Sequence, residues 1–277
     1  MNRLDLAEIV EPLSDAERWL LVKECLRQKP SNALHFLHIP KTGGTSFGET
    51  LGQDKKAVII SVDALPETLA GQLLRFSNTD EKMLVITRAH HSLKVIENSG
   101  CLEHISLVLT AYRNPAEVHV SNVNMIMRRV SNYIDGQGML KAERIFCKEW
   151  LENFPMKFSN TKEFAKCLLR SDVYRDRMGK VYSLFLLGSC WKKMIKSKEL
   201  FVISSDSFDD LFVDVFDYAV LPTRKNVSVS PMLTLEDFDA KCLSGLVAGD
   251  EALAEFLKDS IVKPAQIRDV ILSGNKQ

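Results

Sequence analysis

Five short runs along the chain are apolar almost without interruption: Leu34–Ile39, Ala57–Ser61, Met83–Thr87, Ile105–Tyr112 and Leu200–Ser204. Runs of this length, without polar alternation, predict strands covered on both faces, as in a parallel sheet. Between them, apolar residues recur at helical spacing near Pro66–Phe76, Pro115–Val130, Thr161–Leu169 and Met178–Lys198. Ahead of the first strand, Ser14 and Glu17 have the spacing of a capping box. Trp19, Leu20, Leu21, Cys25 and Leu26 then follow at helical spacing as far as Lys29-Pro30. Another helix is expected from about Thr45, after a turn rich in glycine. Strand and helix alternate, so the expected fold is α/β, a parallel β-sheet flanked by helices on both faces and joined by right-handed crossovers.

The expected organisation is one domain over 1–277. It has an N-terminal helical segment over 1–30 and a helical segment over 234–277 broken at Pro264. The stretch Ser131–Asp176 is more polar and is expected to be less regular.

Composition narrows the function. Lys+Arg and Asp+Glu both total 36, so the formal net charge is zero and the basic excess of a nucleic-acid binder is missing. A local basic pocket remains compatible with that balance. The six cysteines, at 25, 101, 147, 167, 190 and 242, form no CxxC pair and read as scattered reduced thiols. The N-terminal stretch carries acids throughout, unlike a secretory signal, and no run reaches the ~20 apolar residues of a membrane span. A cytoplasmic protein without a transmembrane segment is expected.

The most informative stretch is His38-Ile39-Pro40-Lys41-Thr42-Gly43-Gly44-Thr45-Ser46-Phe47, which runs from strand through glycine turn to helix start. Successive backbone N–H groups in such a turn, with the positive end of a helix dipole, make an anion cradle. Gly43 and Gly44 allow close approach of a phosphate, Thr45 and Ser46 add hydroxyl donors, and Lys41 adds positive charge. The lysine precedes the glycines, whereas a Walker A loop has it after them, which argues against a kinase or ATPase.

This ten-residue string resembles, nearly letter for letter, the 5′-phosphosulfate loop of the PAPS-dependent sulfotransferases related to heparan sulfate 2-O-sulfotransferase, a loop shared by many bacterial members. The resemblance implies a P-loop-like sheet, PAPS as co-substrate and adenosine 3′,5′-bisphosphate as product. It also implies Lys41, Thr42, Gly43, Gly44, Thr45 and Ser46 as ligands of the 5′-phosphosulfate. In Leu107–Pro115 an apolar run delivers Arg113 at its end, and Ser121 follows eight residues later. The family's 3′-phosphate motif looks like this pair, and a guanidinium with a hydroxyl is apt chemistry for a phosphate. Where relatives often carry a second basic residue, this chain has Val118-His119. Arg128-Arg129 or Arg224-Lys225 are candidates to compensate.

Transfer also requires a proton acceptor and charge on the leaving oxygen, with positioning and electrostatics doing most of the work. Lys41 is assigned to the leaving oxygen. Arg88-Ala89-His90-His91 resembles the family's glycine-histidine pair, which implies His90 as the base, with His91 in reserve and Arg88 facing sulfate or acceptor. His38 is expected to prop the loop. Ser207–Leu211 and Leu221–Ser228 look like the family's late helix and following loop, implying nucleotide contacts from Arg224, Lys225 or Asn226.

The implied activity is sulfuryl transfer to a hydroxyl or amine of a carbohydrate, lipid-linked or small-metabolite acceptor. No metal is required, and the segment 131–176 is a candidate for an insertion that shapes the acceptor side, its role left open. Two rivals stand beside it: a non-catalytic nucleotide-binding relative, favoured by the departures at Ala89 and Val118, and a P-loop kinase-like enzyme. The acceptor's identity and the oligomeric state are left open.

Overall fold

The computed structural model describes residues 13–28, 33–43, 47–48, 50–51, 57–78, 84–136, 138, 141–153, 161–186, 190–217, 233–238 and 240–274. Contacts divide the chain into two compact units. The first comprises Met1–Tyr112, Tyr182–Asn226 and Glu255–Gln277; the second comprises Arg113–Val181 and Val227–Ala254.

The first unit is built on five parallel strands: β1 (Ala33–Leu37), β2 (Ala57–Ser61), β3 (Leu84–Ala89), β4 (Leu107–Tyr112) and β5 (Leu200–Ser204). Their order is β2-β3-β1-β4-β5, a P-loop-like α/β arrangement flanked by helices. β1 is central and wholly buried, with β3 on one side and β4 on the other. Its side chains alternate between faces. Leu34 and Phe36 join a core with Phe47, Phe208 and Phe212, and the Phe36 and Phe47 rings stack at 4.2 Å between centroids. His35 meets Trp19 of α1 (Asp15–Gln28) edge to face, at 5.3 Å. The α1 capping box is present: Ser14 N–H donates to Glu17 Oε2 at 2.8 Å, and Glu17 N–H donates back to Ser14 Oγ. α2 (Pro66–Ser77), α3 (Leu93–Asn98), α8 (Trp191–Lys196), α9 (Phe208–Asp214) and α12 (Pro264–Gly274) complete this unit, together with most of α11 (Glu251–Asp259). On the β5 side, Val202 forms a parallel bridge with Ile261, and Val262 N–H donates to Val202 O at 2.9 Å.

The second unit is helical in its described residues. α4 (Pro115–Ile134) starts with Asn114 accepting from Ala116 N–H and with Pro115 in the first turn, where its missing N–H costs nothing. Around it lie α5 (Lys141–Asn153), α6 (Thr161–Arg170), α7 (Asp172–Met178) and α10 (Ala240–Val247). Val123, Ile126, Val130, Trp150, Phe164, Leu168, Tyr174 and Leu246 share its buried core.

Several expectations need correction. Among its described residues, Ser131–Asp176 is mostly regular: it holds the end of α4 and three further helices, whose buried positions are hidden in sequence by the charged residues between them. The single helix expected over Met178–Lys198 is not formed. Met178 ends α7, residues 179–186 are non-helical, and among the described residues that follow it Trp191–Lys196 is helical. The reason is tertiary: Val181 N–H is taken by the Asp250 carboxylate, and the Phe185 carbonyl by Leu93 N–H. β1 ends at Leu37, so His38 and Ile39 lie beyond it. β3 extends to Ala89, so Arg88 and Ala89 lie within the sheet.

Candidate functional site

The register of β1 against β3 pairs Phe36 with Arg88 and Leu37 with Ala89. The ladder then closes with His38 N–H donating to Ala89 O at 3.1 Å. Two strands therefore end side by side, and their next residues, His38 and His90, come together. In open α/β sheets, ligands collect outside the carboxyl ends of the strands where the connections diverge. β1 is such a strand, because the chain leaves it toward β2 on one side while β4 occupies the other.

The loop after β1 is wound tightly. Lys41 has φ 67° and Gly43 φ 97°, both in the left-handed region. A lysine there is uncommon and is held only by the structure around it. Thr42 is buried, and its hydroxyl donates to Ile39 O at 2.8 Å, bracing the turn from inside. Phe47 N–H donates to Gly43 O at 3.2 Å, where the chain turns helical at 47–48 and 50–51. The Phe208 ring packs against Gly43 so closely that a Cβ would meet it at 2.5 Å. A Cβ at Gly48 would collide with the Arg88 guanidinium, so Arg88 lies across the segment just past the loop. Gly44, Thr45 and Ser46 lie outside the described residues.

His90 sits at the rim of this loop with its side chain 41% exposed. Its Nδ1 lies 2.9 Å from the His38 carbonyl, which can only accept. Nδ1 therefore carries the proton, and Nε2 presents a lone pair in the neutral ring. The His38 ring lies 3.9 Å from that of His90, between centroids. Burial, then the neighbouring His90, Arg88 and Lys41, push the His38 pKa down to about 2, so it is neutral near pH 7. Burial also lowers His90, while Asp63 works in the opposite direction. Asp63 Oδ2 accepts from the His90 backbone N–H at 3.1 Å and lies 3.9 Å from Nε2.

His91 is engaged elsewhere. Trp19 Nε1–H donates to its Nδ1 at 2.8 Å, and its Nε2 lies 3.2 Å from Asp15 Oδ1. Both ring nitrogens thus serve to tie α1 to the end of β3. His35 is wholly buried, with Nδ1 3.0 Å from the Thr87 hydroxyl and the pKa lowered to about 3 by burial.

In the second unit, Arg113 lies just ahead of the Asn114 cap of α4, and Glu117 and Ser121 lie one turn apart on its first turns. Arg113 Nε pairs with Glu117 Oε2 at 3.0 Å, an i,i+4 contact. His119, beside the position where the resemblance places a second basic residue, is buried. Its Nδ1 is 3.1 Å from the Tyr174 hydroxyl, and burial lowers its pKa to about 4. Arg224, Lys225 and Asn226 lie outside the described residues.

Sequence reasoning missed Asp63, Gly48 and Phe208 as parts of this site. Asp63 had one signal, its place two residues past a strand end. Gly48 and Phe208 act through packing, which no local pattern reveals. No helix among the described residues is long and apolar enough to cross a membrane. Comparison with family models, curated proteins and solved structures returned no match to this chain.

Proposed function

We propose that this chain is a PAPS-dependent sulfotransferase, acting on a hydroxyl or amine of a carbohydrate, lipid-linked or small-metabolite acceptor. The acceptor oxygen or nitrogen attacks sulfur, the bond from sulfur to the 5′-phosphate oxygen breaks, and adenosine 3′,5′-bisphosphate leaves. The acceptor's proton passes to His90 Nε2. Lys41 neutralises the charge that grows on the departing oxygen, a contribution of the kind that dominates such transfers.

The observation that carries this reading is the pairing of two strand ends. One bears a left-handed, lysine-containing loop, and the next bears a histidine whose proton-accepting nitrogen is defined by a backbone carbonyl. Anion cradle and general base are the two elements the chemistry requires. The HIPKTGGTSF string adds the choice of donor, because its likeness is to a 5′-phosphosulfate loop. By the same likeness Arg113 and Ser121 serve the 3′-phosphate, which separates PAPS from ATP. The Arg113–Glu117 pair is partly exposed, and ion pairs of that kind are weak. A cytoplasmic, bacterial-type setting accompanies this reading.

Calorimetric titration with adenosine 3′,5′-bisphosphate, ADP and ATP tests it. Micromolar binding of the bisphosphate, lost in Lys41→Ala and in Arg113→Ala and weak for ATP, is the expected result. Preference for ATP with Mg²⁺ would support the kinase-like alternative. Tight bisphosphate binding without transfer across an acceptor panel would support a non-catalytic relative.

A further inference from the structure

We infer that the carboxylate of Asp63 is a positioning group for His90, anchoring its backbone N–H and stabilising the imidazolium formed when His90 takes the acceptor's proton. This rests on the proposal that His90 is the base of a transfer reaction.

The backbone brings Asp63 to this place. β2 pairs with β3 as far as Ser61 opposite Arg88, and Val62 N–H donates to Arg88 O at 2.9 Å. The next residue, Asp63, therefore arrives opposite the Ala89–His90 step. The turn that follows is closed by Ala64 N–H donating to Ser61 O at 3.1 Å. Arg18 of α1 then fixes it from outside: its Nη1 donates to Val62 O at 3.2 Å and to Ala64 O at 2.9 Å. Both carbonyls flanking Asp63 are held by one guanidinium, so the carboxylate is presented from a clamped backbone. Its side chain is only 21% exposed, which weakens solvent screening of its charge.

One oxygen, Oδ2, faces both the backbone N–H and the Nε2 edge of His90. The groups that act electrostatically on His90 are Asp63, Arg88, His91 and the stacked His38. Arg88 is cationic and His38 is neutral, while His91 is engaged by Trp19 and Asp15. Asp63 is the carboxylate of that set. In the neutral ring its charge has little to act on. Once Nε2 has taken a proton, the imidazolium is opposed by burial first and then by Arg88 and His91, and Asp63, with the His38 carbonyl, offsets part of that cost. The bond that forms is N–H at Nε2 and the one that breaks is the acceptor's O–H or N–H. The proton then leaves to solvent from the partly exposed ring.

The test separates charge from anchorage. Asp63→Asn keeps an oxygen able to accept the His90 N–H but removes the charge; Asp63→Ser is the reserve should the first variant fold poorly. Histidine ring NMR titration of the full chain, with His90→Gln to assign the signal, reads the proton affinity of His90 directly. Expected is a His90 titration at lower pH in both variants, with the Nδ1–H tautomer kept in Asp63→Asn. In a transfer assay, the acid limb of kcat/KM moves the same way and kcat drops roughly tenfold at neutral pH. An unchanged titration overturns the inference, whatever the activity. A shifted titration in a protein that transfers no sulfuryl group to any acceptor supports the Asp63–His90 coupling and overturns the sulfotransferase reading instead.

Discussion

The ring of Phe208 packs against Gly43, filling the space that a side chain at that position would need. Gly43 is thus constrained twice, by its φ of 97° and by the ring above it. Gly43→Ala is expected to cost about 1–3 kcal/mol of stability through backbone strain and to abolish bisphosphate binding. Adding Phe208→Ala should not restore binding, because it removes the clash and leaves the dihedral. Urea unfolding and calorimetry check both. Recovery of binding in the double variant would show that sterics alone govern the loop.

Gly48 and Arg88 form a second such pair. Gly48→Ala must push the Arg88 guanidinium away from the segment that follows the loop. If Arg88 acts on the bound anion, Gly48→Ala and Arg88→Ala should each weaken pyrophosphate or bisphosphate binding, roughly tenfold or more. The double variant should then lose no more than Arg88→Ala alone, since the Cβ has nothing left to displace. Additive losses would mean that Gly48 is needed for some other reason.

The Trp19–His91 hydrogen bond predicts a loss of stability without a change of base. Trp19→Phe keeps most of the ring's packing but leaves His91 Nδ1 without its donor, which should cost about 1–3 kcal/mol. His91→Gln should lower stability as well and, by removing a group that lowers the His90 pKa, leave His90 at least as ready to take a proton. Should His91→Gln abolish transfer while unfolding normally, the two histidines would have to exchange roles.

Acid should destabilise the protein early. His35, His38 and His119 are held neutral by burial, with pKa values lowered to about 3, 2 and 4. An unfolded histidine titrates near 6.5, so below that pH the unfolded chain binds more protons than the folded one. Stability therefore falls as pH drops through 6.5. The decline contributed by His119 levels off near pH 4, and those of His35 and His38 continue lower. Each group adds a slope of up to about 1.4 kcal/mol per pH unit. Denaturant unfolding between pH 7.5 and 4.5 measures this, and a folded His119→Gln variant should show a shallower slope. A flat profile would mean that the buried rings are protonated in the folded state.

How much of this could be read from the residues alone depends on how local each cause is. β2 and β5 are visible to the residue because their apolar runs end where the strands end. The HIPKTGGTSF turn is visible because glycine placement answers to backbone dihedrals. His90 was reachable through the resemblance of Ala89-His90 to a glycine-histidine pair, in the segment that follows an expected strand. The contrast between His90 and His91 was not, since it depends on Trp19, 72 residues away in sequence. Asp63 was hidden likewise, its partner being 27 residues distant. The stretch 179–186 has helical spacing, yet Asp250 claims the N–H of Val181 from far along the chain. Local periodicity carries no information about such long-range partners.

The short bridge between Val202 and Ile261 has a consequence for solubility. β5 ends the row of strands, and an uncovered edge is a template on which another chain can add a strand. Ile261 and Val262 occupy part of that edge with backbone hydrogen bonds, and α12 follows directly after them. A variant shortened to end before residue 260 would keep every group of the His90 cluster and still be exposed to strand-to-strand self-association along β5.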